Sequence, residues 1–177
     1  MIHQYRFLAA MNLAPHARPS AALRYAMWTL AASISGEYKD LHEVFYLRAR
    51  KYAEADEMSR RYRYVNVRHA QAWILIGIYE FKMMHFPHAW ITAGRATRLT
   101  QLMGLNRLDG IGMDVKQSLP TPLDWSEKEE RRRTFWMAFC MDRYGGIRTG
   151  WPMIIDERDV SVDSGFDNNA NGGADYD

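Results

Sequence analysis

The sequence predicts an all-α protein in which antiparallel helix pairs pack as a helical array. Three observations carry that reading. Apolar residues recur at steps of three and four along most of the chain, and strand-like alternation is confined to the short stretch WPMII. Start and stop signals stand where those periods change: Ser20 after Pro19, Gly36, Pro87 and Gly104. The 177 residues, 47% of them apolar, suffice for one domain with a real core.

Residues 1–19 read as an N-terminal segment ahead of a domain spanning 20–162. The first helix opens with Ser20 as N-cap and runs to about Ser35. Leu23, Met27, Leu30 and Ile34 form its core face, and Gly36 ends it. A second helix, Asp40 to about Arg63, would bury Leu41, Val44, Phe45 and Tyr52. Its Asp56–Arg60 and Glu57–Arg61 pairs have the i,i+4 spacing of a solvated face.

The third helix, Asn66 to about His85, is the expected centre of the core. Ala70, Trp73, Ile74, Gly77, Ile78, Phe81 and Met84 share one side, while Leu75, Ile76 and Tyr79 fill part of the other. Pro87 suits the first turn of a fourth helix, where its missing N–H costs nothing. That helix carries the stripe Ala89, Ala93, Ala96, Leu99 and Met103, and stops at Gly104. Small residues there, with Gly94 alongside, favour a close hairpin with the third helix. Residues 105–125 read as a loop punctuated by Gly and Pro. Ser126 opens the fifth helix, with Glu129 completing a capping box, and Gly145-Gly146 ends it. Residues 163–177 are acidic and rich in Asn and Gly, the composition of a disordered tail.

Net charge is only +2, below what a dedicated nucleic-acid module carries. Cys140 is the only cysteine and sits in an apolar run. It reads as a small buried hydrophobe in a reducing compartment, and neither a disulfide nor a Cys-rich zinc site can be built from it. The N-terminus lacks the apolar core of a signal peptide. The most apolar window, Ala70 to Tyr79, is too short to cross a bilayer, so no membrane partner is expected and the chain reads as soluble and intracellular.

Enzyme chemistry finds little footing. His85 and His88 could be imagined as metal ligands, but Pro87 between them breaks the helical geometry such a pair needs. Asp156, Glu157 and Asp159 form a single acidic cluster with Arg158 inside it, which reads as a solvated turn. No phosphate-binding glycine loop or nucleophile elbow occurs. No catalytic, cofactor-binding or metal residue is therefore assigned, and the chain is read as a non-enzyme.

The run EKEERRRTFW concentrates charge. Glu127–Arg131 and Glu129–Arg133 are i,i+4 pairs in the favourable order. Arg132 shares a helix face with Trp136, Phe139 and Arg143, and Asp142 shares one with Arg131, Phe135 and Ala138. If buried, each must be paired, because an isolated buried charge is costly. Arg148, Arg95 and Arg98 are the candidates for Asp142. On this reading the arginines hold helices together and do not clamp phosphate.

Three stretches in order, HAWITAGRATRLTQLMGLNR, EKEERRRTFWMAFCMDR and GWPMIIDERDVSV, resemble the middle homology region of fungal-specific transcription factors. That region is the regulatory domain downstream of a binuclear zinc cluster. The matching positions are Ala89, Trp90, Gly104, Leu105, Glu129, Arg131, Arg132, Arg133, Trp136, Asp142, Arg143, Gly150 and Pro152. The resemblance implies a helical regulatory domain of a nuclear transcription factor, acting in DNA-templated transcription. It implies transcriptional regulators or a small-molecule effector as partners. Zinc and DNA contacts are implied only for a six-cysteine cluster that these residues lack, so no cofactor is expected in this chain. The family's pattern runs on into further helices where this sequence enters its Asn/Gly stretch, so a partial domain is expected. The alternative reading is a solenoid-like helical adaptor for protein interaction without a DNA-linked role.

Overall fold

The computed structural model describes residues 1–59, 64–110 and 119–163. Among them are six α-helices: α1 (Gln4–Met11), α2 (Ala21–Ile34), α3 (His42–Met58), α4 (Val67–Lys82), α5 (Phe86–Leu102) and α6 (Trp125–Thr149). The described residues contain no strand, and 151–155 are irregular. The all-α expectation holds. α2 packs on α3 and α4 on α5, each pair joined by a short connection, while α4 also touches α2, α3 and α6.

α4 is enclosed as its apolar pattern demands. Ala70, Ala72, Trp73, Ile74 and Ile76 are all buried. The N-cap side chain of Asn66 accepts from His69 N–H, and the helix ends in the turn to α5. That turn departs from the expected stripe: Met84 lies outside the helix, exposed, with a left-handed φ of 62°. The stripe on α5 is buried throughout, from Ala89 to Met103. Gly104 follows with φ 71°, a conformation that suits glycine at a helix end. The glycine that permits close packing of α4 is Gly77, where a Cβ would lie 2.8 Å from Met141 Sδ and 3.3 Å from Thr92 Cγ2. Gly94 instead faces Ile154, away from α4.

α2 and α3 begin near their expected places but turn different faces inward. α2 buries Ala22, Leu23, Ala26, Thr29 and Ala32, while Ile34 is 80% exposed. α3 buries Tyr46, Ala49 and Ala53 and leaves Val44 and Tyr52 exposed, as is Leu41 in the turn just before it. Alanines occupy the contact because small side chains let helix backbones approach. The aromatic residues gather at its margin, Tyr25 stacking on Tyr52 at 5.6 Å and meeting Trp28 edge-on at 5.1 Å. The expected partners of Asp56 and Glu57, residues 60 and 61, lie outside the described residues, as does the tail from 164 onward.

α6 also differs from expectation at both ends. Its N-cap is Asp124, whose side chain accepts from Glu127 N–H, two residues before the expected Ser126. Glu127 reaches back to Leu123 N–H at 2.9 Å, so the local acid that completes the cap is Glu127 in place of Glu129. At the far end the helix runs through Gly145 and Gly146 to Thr149, and Gly150 caps it with φ 73°. Gly146 is needed inside the helix because the 150–155 segment folds back on it. A Cβ there would sit 2.8 Å from Met153 Cγ and 3.2 Å from the Trp151 carbonyl oxygen. Cys140 proves exposed on α6, since the neighbouring Ala138 and Met141 take the buried positions.

The N-terminal segment carries α1, which sequence periodicity did not reveal. Ile2 and Phe7 pack on the core, and Arg6 pairs with Asp124 at the start of α6.

The rotation of α2 gives a direct test by urea unfolding. Ala26→Leu is expected to destabilise the fold by about 1–3 kcal/mol through overpacking. Ile34→Ser is expected to stay within about 0.5 kcal/mol of the wild type. A reversed order would place Ile34 in the core.

Candidate functional site

The charged residues of α6 are distributed by its turns. Arg131 is 3% exposed. It donates through Nη2 to Glu127 at 2.7 Å and through Nη1 to the Pro120 carbonyl at 2.8 Å. Arg132 is also buried and grips Asp109, donating from Nε at 3.2 Å and from Nη2 at 2.9 and 3.1 Å. Its Nη1 donates to Glu129 at 2.6 Å. Arg133 points outward and shares Glu129 at 2.7 Å. Both expected i,i+4 pairs are present.

Asp109 is the hub that sequence reasoning missed. It comes from the short turn after α5 and accepts from Arg132, from Lys128 Nζ at 2.7 Å and from Asp163 N–H at 3.0 Å. Burial alone would push its carboxyl up. The hydrogen bonds from Arg132, Lys128 and the Asp163 amide outweigh that and lower it to about 2. The same turn places Asn106 against Ser161 and Asp159, so residues 105–110 and 159–163 lie side by side. No period marks Asp109 in sequence, and nothing short of the tertiary contact could have singled it out.

Asp142 is buried, and its partners are not the arginines expected from sequence. Its carboxylate accepts the backbone N–H of Ile154 at 3.0 and 3.1 Å and that of Ile155 at 3.1 Å. Arg148, Arg95 and Arg98 make no ion pair with it. The reason is geometric: the chain reverses at Gly150 and lays its own backbone donors over the Asp142 side chain. Arg143 completes the clasp, donating to the Ile155 carbonyl at 2.6 Å while its guanidinium stands 4.6 Å over the Phe139 ring.

The remaining positions of the resemblance surround this clasp or cap helices. Trp90, half-buried on α5, meets Trp151 at 5.1 Å. Ala89 and Leu105 are buried, Gly104 and Gly150 cap α5 and α6, and Pro152 is exposed in the returning segment. Trp136 donates to the Asp163 carbonyl at 3.0 Å. The constellation thus joins α5, α6 and the 150–163 segment, with nearly every charge answered inside the domain. It offers structural cross-links and no nucleophile–base pair.

A second buried network surrounds α4. Glu80 is completely buried and accepts from Tyr46 Oη and Arg50 Nη1, each at 2.7 Å. Burial, and then the Glu80 carboxylate, push the Tyr46 phenol up to about 12. Glu57 accepts from Trp73 Nε1 at 2.7 Å, with His69 Nε2 at 3.3 Å and Arg95 at 3.5 Å. His85 and His88 are exposed, their rings 6.3 Å apart. Among the described residues no three His, Cys, Asp or Glu side chains are grouped to hold a metal ion, and no helix is long and apolar enough to cross a membrane.

Comparison with known proteins decides the family. The family model described as "fungal specific transcription factor domain" matches residues 1–164. The chain belongs to this family. Its match takes in α1 as well as the helices that follow. The family is one of transcription factors, and so are the curated relatives. The pigment biosynthesis transcriptional activator pigB of Monascus ruber is 41% identical over 92% of this chain and 30% of its own length. The citrinin biosynthesis transcriptional activator ctnR of Monascus purpureus is 36% identical over 89% of this chain and 27% of its own. The tropolone cluster transcription factor tropK of Talaromyces stipitatus is 32% identical over 95% and 30% respectively. The fungal specific transcription factor domain described here therefore spans under a third of the length of these relatives. No solved structure matches it.

Two measurements test the clasp and the hub. Asp142→Ala leaves the Ile154 and Ile155 amides without their acceptor. It is expected to cost about 3 kcal/mol in urea unfolding and to expose the 150–155 segment to limited proteolysis. The Asp109 carboxyl is depressed in the folded state from 3.8 to about 2, so its contribution is full above about pH 4 and is lost as pH falls through 2. Between pH 4 and 2, Asp109→Asn is expected to show a flatter loss of stability than the wild type. Equal slopes would remove Asp109 as the hub.

Proposed function

We propose that this chain is the regulatory part of a fungal transcription factor that activates a biosynthetic gene cluster, acting in the nucleus. The observation that carries the proposal is the family match over residues 1–164, joined to relatives whose names are those of pigment, citrinin and tropolone cluster regulators. Its input is another transcriptional regulator or a small-molecule effector.

Contact with a cognate DNA site belongs, on this reading, to a zinc cluster elsewhere in the whole protein. The residues present do not fit such a cluster: six thiolates are needed, and Cys140 is the only cysteine. Nor does the arginine run offer a phosphate grip. Arg131 and Arg132 are buried and committed to Glu127, Asp109 and Glu129. A phosphate-binding surface needs cations free to displace counterions.

Disruption of the coding sequence in its native fungus tests the proposal. Transcripts of a biosynthetic gene cluster are expected to fall to background and to return on complementation, and a fluorescent fusion is expected in the nucleus. Unchanged cluster transcripts across the genome would overturn the reading.

A further inference from the structure

A cavity of about 300 Å3 opens where α1 and the first turns of α2 and α4 meet α6. That volume is at the lower end of small-molecule sites, about 300–1,000 Å3. Its wall carries the apolar side chains of Phe7, Leu23 and Val67 and the polar ones of Arg68, Gln71, Glu127, Glu130 and Arg131.

Two of these polar side chains are buried with an atom left over. Gln71 is fully buried, and its Nε2 donates to Glu130 Oε1 at 2.9 Å, Thr134 Oγ1 at 3.2 Å and the Met1 carbonyl at 3.3 Å. Three acceptors around Nε2 fix the orientation of the amide and leave Oε1 buried without a partner. Arg131 spends Nη1 and Nη2 on Pro120 and Glu127, and its Nε is buried without a partner. Native proteins seldom leave buried donors and acceptors unanswered. An acceptor and a donor so placed, on residues that line one cavity, ask for a ligand with the complementary pair.

The charges indicate which kind. Glu127 is answered by Arg131 and by Leu123 N–H, Glu130 accepts from Gln71 and attracts the Met1 ammonium, and Arg6 is tied to Asp124. Among the described residues Arg68, exposed in the first turn of α4, takes part in no ion pair. It sits where the positive end of the α4 dipole adds to its own charge. The uncommitted charge at the cavity is positive.

We propose that this cavity binds a small amphipathic organic acid. Its carboxylate faces Arg68 and the Arg131 Nε, a hydroxyl donates to Gln71 Oε1, and its apolar body lies against Phe7, Leu23 and Val67. As the place where an effector acts on transcription, the site rests on the function proposed above; as a binding site it stands on the cavity alone.

The test uses the whole chain and three probes of one size, followed by calorimetry and by backbone amide NMR. The probe 4-hydroxyphenylacetate has carboxylate, ring and hydroxyl; phenylacetate lacks the hydroxyl; 2-(4-hydroxyphenyl)ethanol lacks the charge. Saturable binding of the first is expected, with shifts centred on residues 67–71 and 131. Loss of the charge, or Arg68→Ala, is expected to weaken it about tenfold, and loss of the hydroxyl to weaken it less. Arg68 is exposed, so its variant is expected to keep the wild-type amide spectrum elsewhere; Arg48→Ala, on α3 beside Tyr25 and outside the cavity lining, serves as the control with unchanged binding. No saturable response at millimolar probe would overturn the site, the cavity then holding solvent only. Equal binding of the charged and neutral probes, or full affinity in Arg68→Ala, would overturn the acid. Failure of the gene-disruption experiment would sink the transcriptional reading and leave these binding results standing.

Discussion

The structure depends on α4 having no free side. It is packed by α2, α3, α5 and α6, so His69, Gln71 and Glu80 are buried along with its apolar residues. An unanswered polar group at such a position is costly, and an unanswered charge more so. Each therefore has partners on another element: Tyr46 and Arg50 of α3 meet Glu80, Glu57 of α3 meets His69, and Glu130 and Thr134 of α6 meet Gln71. These bonds are directional where apolar packing is not. They fix the register of α3 and α6 on α4 while the alanine stripes of α2 and α5 set how closely the helices approach.

α6 answers the same demand from the outside of the array. Its arginines run from the 119–125 segment through Asp109 to the returning chain at 150–155, so one helix ties together three irregular stretches. The basic run looks like a polyanion grip when read as letters, yet its buried guanidinium groups are paired inside the domain, with the Arg131 Nε left over. What remains for an outside molecule is concentrated near the start of α4, where Arg68 is uncommitted. There α1, α2, α4 and α6 all contribute to the same cavity wall.

Much of the candidate site was legible in part. The pairs Glu127–Arg131 and Glu129–Arg133 follow from spacing alone, and Arg132 was marked as needing a partner because it shares a face with aromatics. Its partner Asp109 was not legible, since that residue lies in a stretch without periodicity. Asp142 is a charge to be answered on sequence grounds too, but Arg148, Arg95 and Arg98 are not its partners; Arg143 stands 3.8 Å away and backbone amides supply the hydrogen bonds. Backbone amides are donors at every position, so no side-chain pattern announces that Ile154 and Ile155 will supply them.

The sequence by itself determined the all-helical class, the starts of α2 and α4, the alanine face of α5 and the family. The family rests on three ordered stretches that resemble it; the others rest on local signals, caps, prolines, glycines and a 3.6-residue period acting within a few turns. Only the tertiary structure decided which faces of α2 and α3 turn inward, why α6 continues through Gly145 and Gly146, and what Asp109 and Asp142 hold. Close helix contact favours small residues over large ones, so the bulkiest apolar residues of α2 and α3 were a misleading guide to the buried side. Asp109, which Arg132 grips, and the Ile154 and Ile155 amides, which Asp142 accepts, lie beyond the reach of helical spacing, which carries no information about them until the helices have packed.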